Sequence, residues 1–425
     1  MPPIRFIHAA DLHLDAAFSG LSRDIPADFA ERLRTATFTA FRRLLDLCER
    51  ESPDFLLLAG DVYNQEDASV SAQLALRDGF RRLESLSIPV FLVHGNHDPL
   101  ASRLRSVRWP GNVTVFGELP DAVPVFRKGE GTPLAIIHGA SHASGRETRN
   151  LAALFRRTEA CGLHVGLLHA TPGDADGVAR YAPFSQGDLK ASGMDYWALG
   201  HIHDRREVCR EPLAAYPGCT QGLHINEPGE KGCLLVTAEA RPDGGYAVRT
   251  SFRPLGPAVW KTLDMDLGGA ASLDELESRL RTGLDRAAAE VWSGCEMLLV
   301  RLRLQGRTEL DGLLRKGTTC AELADRLRED GSGVPRIWIK DIDVATRPCV
   351  ERGALLERED LLGEVFRLSE AARTASGLQA LREGPLAPLF AHARAGKALE
   401  PLTDEELARL LDDAESLCLD LLEND

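Results

Sequence analysis

The chain opens Ile4-Arg5-Phe6-Ile7-His8-Ala9-Ala10-Asp11-Leu12-His13, an apolar run that passes directly into an aspartate and a histidine. A run this short, lacking a helical period and ending in turn-forming residues, predicts a buried strand over residues 4–7. The pattern recurs at 55–59, 90–93, 134–137, 165–168 and 197–199, each run closely followed by Gly, Asp, Asn or His. Between the first two runs, Phe29, Leu33, Phe41, Leu44, Leu45 and Cys48 recur at helical spacing and predict one helix over 28–49, stopped before Pro53. A second helix is predicted over about 68–86. Strands buried on both faces and alternating with helices imply an α/β fold.

Beyond residue 200 the helices drop out. Strands are predicted near 213–216, 233–237 and 246–252, punctuated by Pro217-Gly218 and Asp243-Gly244-Gly245. Residues 1–255 therefore read as sheets packed together with helices outside, and the stretch Pro254 to Pro257 as a boundary. A strand at 260–265, a helix at 272–288, a strand at 297–304, a helix at 319–329 and a strand at 337–342 then predict a small α+β domain spanning 256–350. From 351 to 425 only helical segments follow, such as 361–372 and 404–422.

With 425 residues the chain is too long for one ordinary domain. Its 50 Lys and Arg against 64 Asp and Glu give a net charge of −14, which argues against a protein that coats nucleic acid. That acidity is unevenly spread. Residues 351–425 hold 17 acidic and 8 basic residues, so the first 350 carry only −5, which two divalent cations would nearly offset. The nine cysteines include no C-x-x-C pair and read as reduced, mostly buried small residues. No apolar run approaches the roughly 18 residues that a membrane span requires. Residues 1–15 also lack the long apolar stretch of an export signal, so a soluble cytoplasmic protein with no membrane partner is expected.

Chemistry concentrates where the strands end. Behind successive strands stand Asp11-Leu12-His13, Gly60-Asp61, Gly95-Asn96-His97-Asp98, His169 and Gly200-His201-Ile202-His203. Strand ends that face one edge of a sheet bring distant residues into one crevice. Carboxylate, imidazole and amide donors without a thiolate suit manganese or iron, while magnesium and zinc stay open. Two cations need a bridging anion, a part that Asp61 can take, and such a pair binds a phosphoryl oxygen and acidifies water. The leaving oxygen then needs a proton, for which His97 is the candidate. Each of these residues alone is equally a turn or capping residue; the ordered set is not explained that way. His8 and His94 flank apolar runs and read as packed histidines, and His138 is not placed among the ligands. Asp98 either orients a neighbour such as His97 or caps a helix.

The order D-x-H, G-D, G-N-H-D, lone His and G-H-x-H resembles the calcineurin-like metallophosphoesterases, which implies for residues 1–255 their fold of two packed mixed sheets flanked by helices. More narrowly, residues 6–15 and Tyr216-Pro217-Gly218-Cys219-Thr220-Gln221-Gly222 resemble the bacterial SbcD-like DNA repair exonucleases, in particular their YhaO-type branch. The chain from Trp260 onward is similar to the capping domain of that branch. By position, the resemblance implies one metal held by Asp11, His13, Asp61 and His203, and another by Asp61, Asn96, His169 and His201. It implies that His97 is the general acid, that the metals are manganese and that the substrate is DNA, cut from ends and sometimes internally. It also implies a homodimer bound to an SMC-like ATPase through the C-terminal helices.

Many relatives carry Asp or His three residues after the bridging Asp, where this chain has Asn64, whose amide oxygen can still accept an imidazole N–H. Arg103, Arg105 and Arg108 after one motif loop, and Arg205 and Arg206 after another, are candidates for a DNA-binding rim, with a solvated surface as the alternative. In the tail, Leu407, Leu410, Leu411, Leu417, Leu421 and Leu422 recur near helical spacing, which intramolecular packing satisfies and a docking face would equally use. A small-substrate phosphodiesterase or phosphatase, or a catalytically silent scaffold for the ATPase, are the competing functions.

Overall fold

The structure, a computed structural model, describes residues 2–21, 25–64, 69–102, 107–174, 180–242, 244–329, 333–349, 352–391 and 402–422. Its first sheet contains β1 (Ile4–Ala9), β2 (Phe55–Ala59), β3 (Val90–Val93) and β4 (Val113–Val115). The second contains β5 (Asp121–Val125), β6 (Ala135–Ala140), β7 (Leu163–His169), β8 (Tyr196–Gly200), β9 (Arg206–Arg210) and β10 (Leu213–Tyr216). The chain then returns to the first sheet with β11 (Gly232–Ala240) and β12 (Tyr246–Pro254).

The two sheets run in the orders β12-β11-β1-β2-β3-β4 and β5-β6-β7-β8-β10-β9. In each, the four consecutive strands β1-β2-β3-β4 and β6-β7-β8-β10 are parallel, with antiparallel strands beside them. The alternation of the strands explains their all-apolar composition. Phe55, Leu57 and Ala59 of β2 join Phe6, Phe91, Val165, Leu167, Tyr196 and Ala198 in the core between the sheets. Leu56 and Leu58 point the other way, into a core with Leu44, Leu45, Leu76 and Phe80 of helices Ala36–Glu51 and Val70–Ser85. Trp197 and Leu199 of β8 pack on the far face of the second sheet with Leu189 and Phe155.

The helix expected over 28–49 is two, Ala27–Arg34 and Ala36–Glu51, and the reason is in the packing. Phe29 and Leu33 turn toward Trp260, Leu299 and Trp338, whereas Leu44, Leu45 and Cys48 turn toward the first sheet. Two cores in different directions require a break between them. The third sheet, β13 (Ala258–Asp266), β14 (Met297–Thr308) and β15 (Arg336–Pro348), is where the α+β domain was expected; helices Leu273–Glu290 and Thr319–Glu329 lie between its strands in sequence.

The molecule divides into two compact units, one with residues up to Asp266, Leu273–Gln305 and Leu313–Ala345, the other with Leu267–Ser272, Gly306–Gly312 and the chain from Thr346. The second unit gathers Leu355, Leu362, Phe366 and Leu419 into a small core, and Glu415 is shared by Arg352 and Arg373. Asp360 and Thr374 cap helices Leu361–Ala372 and Ala375–Glu383 through the Gly363 and Gly377 N–H groups. Of the leucines on helix Asp404–Leu422, Leu407 and Leu419 are buried and Leu410, Leu417, Leu421 and Leu422 exposed. Among the described residues, no helix is long and apolar enough to cross a membrane.

Candidate metal centre

Every strand that carries a motif delivers it at its C-terminal end. Asp11 and His13 follow β1, Asp61 follows β2 and Asn96 follows β3, all in the first sheet; His169 ends β7 and His201 and His203 follow β8, in the second. The loops after β1 and β2 are tied to each other, with Asp11 N–H donating to the Gly60 carbonyl at 3.1 Å and His13 N–H to that of Asp61 at 3.0 Å.

These turns are tight. Asp11, His13, Asp61 and His201 all adopt left-handed φ angles of 52°, 40°, 49° and 105°, a region that side-chain-bearing residues seldom occupy. The adjoining glycines leave no room for anything larger. A Cβ on Gly95 would stand 2.2 Å from Asp61 Oδ1, and one on Gly200 would stand 1.8 Å from the Ala59 carbonyl oxygen.

The side chains converge as two clusters. Asp11, His13 and His203 form one and Asp61, His169 and His201 the other, the donor atoms of each lying within 4.8 Å of one another. Asp61 stands between them, its Oδ2 at 3.9 Å from His13 Nε2 and 3.4 Å from His169 Nε2. Asn96 Oδ1 completes the second cluster at 3.0 Å from His169 Nε2 and 3.1 Å from His201 Nδ1. All seven residues expected as ligands are thus in one place.

The donor chemistry fits divalent cations. His13 Nε2 and His203 Nε2 face each other at 3.1 Å, while the buried Nδ1 of His13 has no hydrogen-bond partner among the described residues. His169 spends its Nδ1–H on the Ala59 carbonyl at 2.9 Å, which leaves Nε2 turned toward Asp61 and Asn96. Such an outer hydrogen bond fixes both ring orientation and tautomer. Burial would push the Asp61 carboxyl up, but His169 and His13 overrule it and hold it well below the usual range. For His169 burial works downward, and Asp61 reverses it and raises the ring. The Asp11 carboxyl is raised by its burial against the pull of His169.

His97 differs from the ligands in being exposed, at the mouth of this cluster, edge-on to the His13 ring at 5.0 Å. Its Nδ1–H donates to the main-chain carbonyl of Asn64 at 2.8 Å, and its backbone N–H to Asp61 Oδ1 at 3.0 Å. The support expected from the Asn64 amide comes instead from the peptide group. Asp98 orients neighbours other than the His97 ring and caps no helix: buried, it accepts from the N–H groups of Val62 at 3.0 Å and Gly95 at 2.8 Å, lies 3.4 Å from His94 Nδ1, and shapes the loop that carries Asn96 and His97.

Several other histidines are held within the fold, while His392 lies outside the described residues. His8 is buried between the Tyr196 hydroxyl and the Leu199 carbonyl, and His138 pairs with His164 at 3.0 Å. His142 donates to the His169 carbonyl at 2.6 Å and braces that strand end. Glu227 was unmarked: it accepts from His203 Nδ1 at 2.5 Å. No motif surrounds it; only the Pro228-Gly229 turn beside it signals a fixed loop. Of the candidate rim, Arg103 and Arg105 lie outside the described residues and Arg108 is exposed. Arg205 lies 4.0 Å over the Phe252 ring and Arg206 5.6 Å over that of Tyr216, both exposed.

Comparison with known proteins points the same way. A model of the calcineurin-like phosphoesterases matches residues 4–205, and one of the metallophosphoesterase YhaO middle domain matches residues 260–347. The chain is similar to metallophosphoesterase YhaO of Bacillus subtilis, 34% identical over 388 residues that cover 90% of this chain and 91% of that one. It is more distantly similar to the DNA double-strand break repair protein Mre11 of Aeropyrum pernix, 28% identical over 68% of this chain and 69% of that one. Mre11 of Haloferax volcanii is 24% identical over 87% and 78% of the two chains.

Proposed function

The chain belongs to the calcineurin-like metallophosphoesterases, within them to the YhaO-like group, and from that premise we propose that it is a manganese-dependent DNA nuclease acting in repair. The observation that carries the reading is the placement of an exposed His97 beside two buried ligand clusters that share Asp61.

Asp11, His13 and His203 would hold one cation, Asn96, His169 and His201 the other, with Asp61 between them. When bound, two divalent cations supply positive charge to a phosphoryl group and lower the pKa of water. The protein's own part is to hold and move protons. The Asn64 carbonyl anchors His97 by Nδ1, so Nε2 is the nitrogen left to protonate the leaving oxygen of a phosphodiester. The backbone bond from His97 to Asp61 fixes the distance between that acid and the centre.

DNA as substrate is supported by the distant likeness to Mre11, which extends well past the catalytic sheets. Arg205 and Arg206, exposed and resting on aromatic rings directly after the His203 loop, offer planar cations for phosphates at the rim. We further propose a homodimer, with an SMC-like ATPase docked on the exposed leucines of the last helix.

The test is incubation of the manganese-loaded protein with end-labelled duplex, single-stranded DNA and a chromogenic phosphodiester. Cleavage of DNA that His97→Ala abolishes is expected. Turnover of the chromogenic ester alone would make this a small-substrate phosphodiesterase, and equal slow cleavage by both proteins would make it a scaffold.

A further inference from the structure

We propose that Glu227 is a positioning residue of the metal centre, holding the His203 ring so that Nε2, and not Nδ1, is the nitrogen presented to a cation. An imidazole binds a metal through one nitrogen only when the other carries the proton, and whatever accepts that proton decides which is which. For His203 the acceptor is Glu227 Oε1, 2.5 Å from Nδ1. The opposite nitrogen, Nε2, then stands 3.1 Å from His13 Nε2, in the cluster that includes Asp11.

The carboxylate is itself held still. Its Oε2 accepts the Leu223 N–H at 2.7 Å, and its own N–H donates to the His224 carbonyl at 2.9 Å. The loop that bears it is braced against β13: Trp260 Nε1–H donates to the Gly222 carbonyl at 3.1 Å, Gly229 N–H to that of Trp260 at 2.9 Å, and Gln221 exchanges two bonds with the Ala258 backbone. Lys231 closes the arrangement from the other side by donating to the His203 carbonyl at 3.1 Å. A first strand of the third sheet thus sets the loop, the loop sets Glu227, and Glu227 sets the ligand. Among the described residues no equivalent partner reaches the His13 ring, whose Nδ1 is buried without one. The two imidazoles of one cluster are therefore held by different means, and His203 alone depends on a carboxylate. The inference rests on the metal centre and not on the nature of the phosphoester.

Glu227→Ala and Glu227→Gln in the full chain test it. Titration with Mn2+ alone, followed by calorimetry, should show one equivalent weakened about 10- to 100-fold in Glu227→Ala and the other unchanged. Long-range 1H–15N spectra of the metal-free protein, recorded at alkaline pH where the ring is neutral, should show His203 as the Nδ1–H tautomer, replaced in Glu227→Ala by a mixture. Glu227→Gln keeps an acceptor without the charge and should weaken the same equivalent by about three- to tenfold while retaining the tautomer; it carries the test if Glu227→Ala does not fold. Wild-type affinity at both equivalents in either variant, or equal weakening of both, would overturn the proposal.

Discussion

The Nδ1 of His97 lies 2.8 Å from the main-chain carbonyl oxygen of Asn64, so the ring is oriented by a group that no side-chain substitution removes. Asn64→Asp and Asn64→Ala should therefore keep phosphodiester turnover within about tenfold of wild type, against a loss of about 10²–10⁴ for His97→Ala. Steady-state kcat on a chromogenic diester measures all three. A loss for Asn64→Ala as large as that for His97→Ala would mean that the amide itself takes part.

Gly95 admits no side chain, since a Cβ would press on Asp61 Oδ1 at 2.2 Å. Gly95→Ala should push that carboxylate away from both clusters, lowering Mn2+ binding at both equivalents and activity by at least about tenfold, as expected when supporting structure around a metal is disturbed. Calorimetric titration checks it, and retention of both equivalents would show that the loop yields.

Cation binding should release protons. His169 and His203 are both raised, by Asp61 and by Glu227 respectively against the opposing effect of burial, so their protons compete with a cation. Affinity should then rise with pH through the neutral range, by up to about tenfold per unit for each proton displaced. Calorimetry in buffers of different ionisation enthalpy counts the protons; a buffer-independent heat would refute the prediction.

His8 governs part of the acid stability. Burial pushes it down to about 3, opposed only weakly by its bond to the Leu199 carbonyl. Unfolded, it takes up a proton below about pH 6.5, which the folded chain refuses until about pH 3, so stability falls with pH across that window. Between pH 6.5 and 5 the loss from this one residue is about 1–2 kcal/mol. Denaturant melts at the two pH values should show a smaller drop for His8→Gln than for wild type.

Leu410, Leu417 and Leu421 share the exposed side of the last helix. Changing all three to Glu should leave diester turnover within about twofold, as surface substitutions usually do, while an ATPase partner no longer co-purifies. Undiminished co-purification would remove this face from the proposed interface.

What the sequence discloses depends on burial. Strands such as β2, apolar on both faces, announce themselves, and so do β1, β3, β7 and β8. The strands that escape reading are β4, β5 and β9, and each is the edge of its sheet. These edge strands are short and β4 and β9 only partly buried, and β5 carries Pro124, so the apolar signal in them is brief or broken. The break at Thr35 escapes for another reason: the apolar spacing is continuous, and only the division between two cores separates Phe29 and Leu33 from Leu44 and Leu45. In the centre, the ligands are legible because chemistry restricts their type. Glu227 is not, because an acceptor for a ring N–H can come from any carboxylate or peptide that the fold brings near, as Asn64 and Ala59 illustrate.

The two ligand clusters close at the same point along the chain. One needs Asp11, His13 and His203, the other Asp61, His169 and His201, so the last donors of both lie two residues apart after nearly half the polypeptide. During synthesis, which delivers the N-terminal part first, a nascent chain holds neither complete cluster until β8 has emerged, and Glu227 follows later still. No truncated product ending before residue 201 can carry a loaded pair. Both ligand sets are thus completed at one point, between residues 201 and 203, and a chain that ends before it lacks donors for both cations.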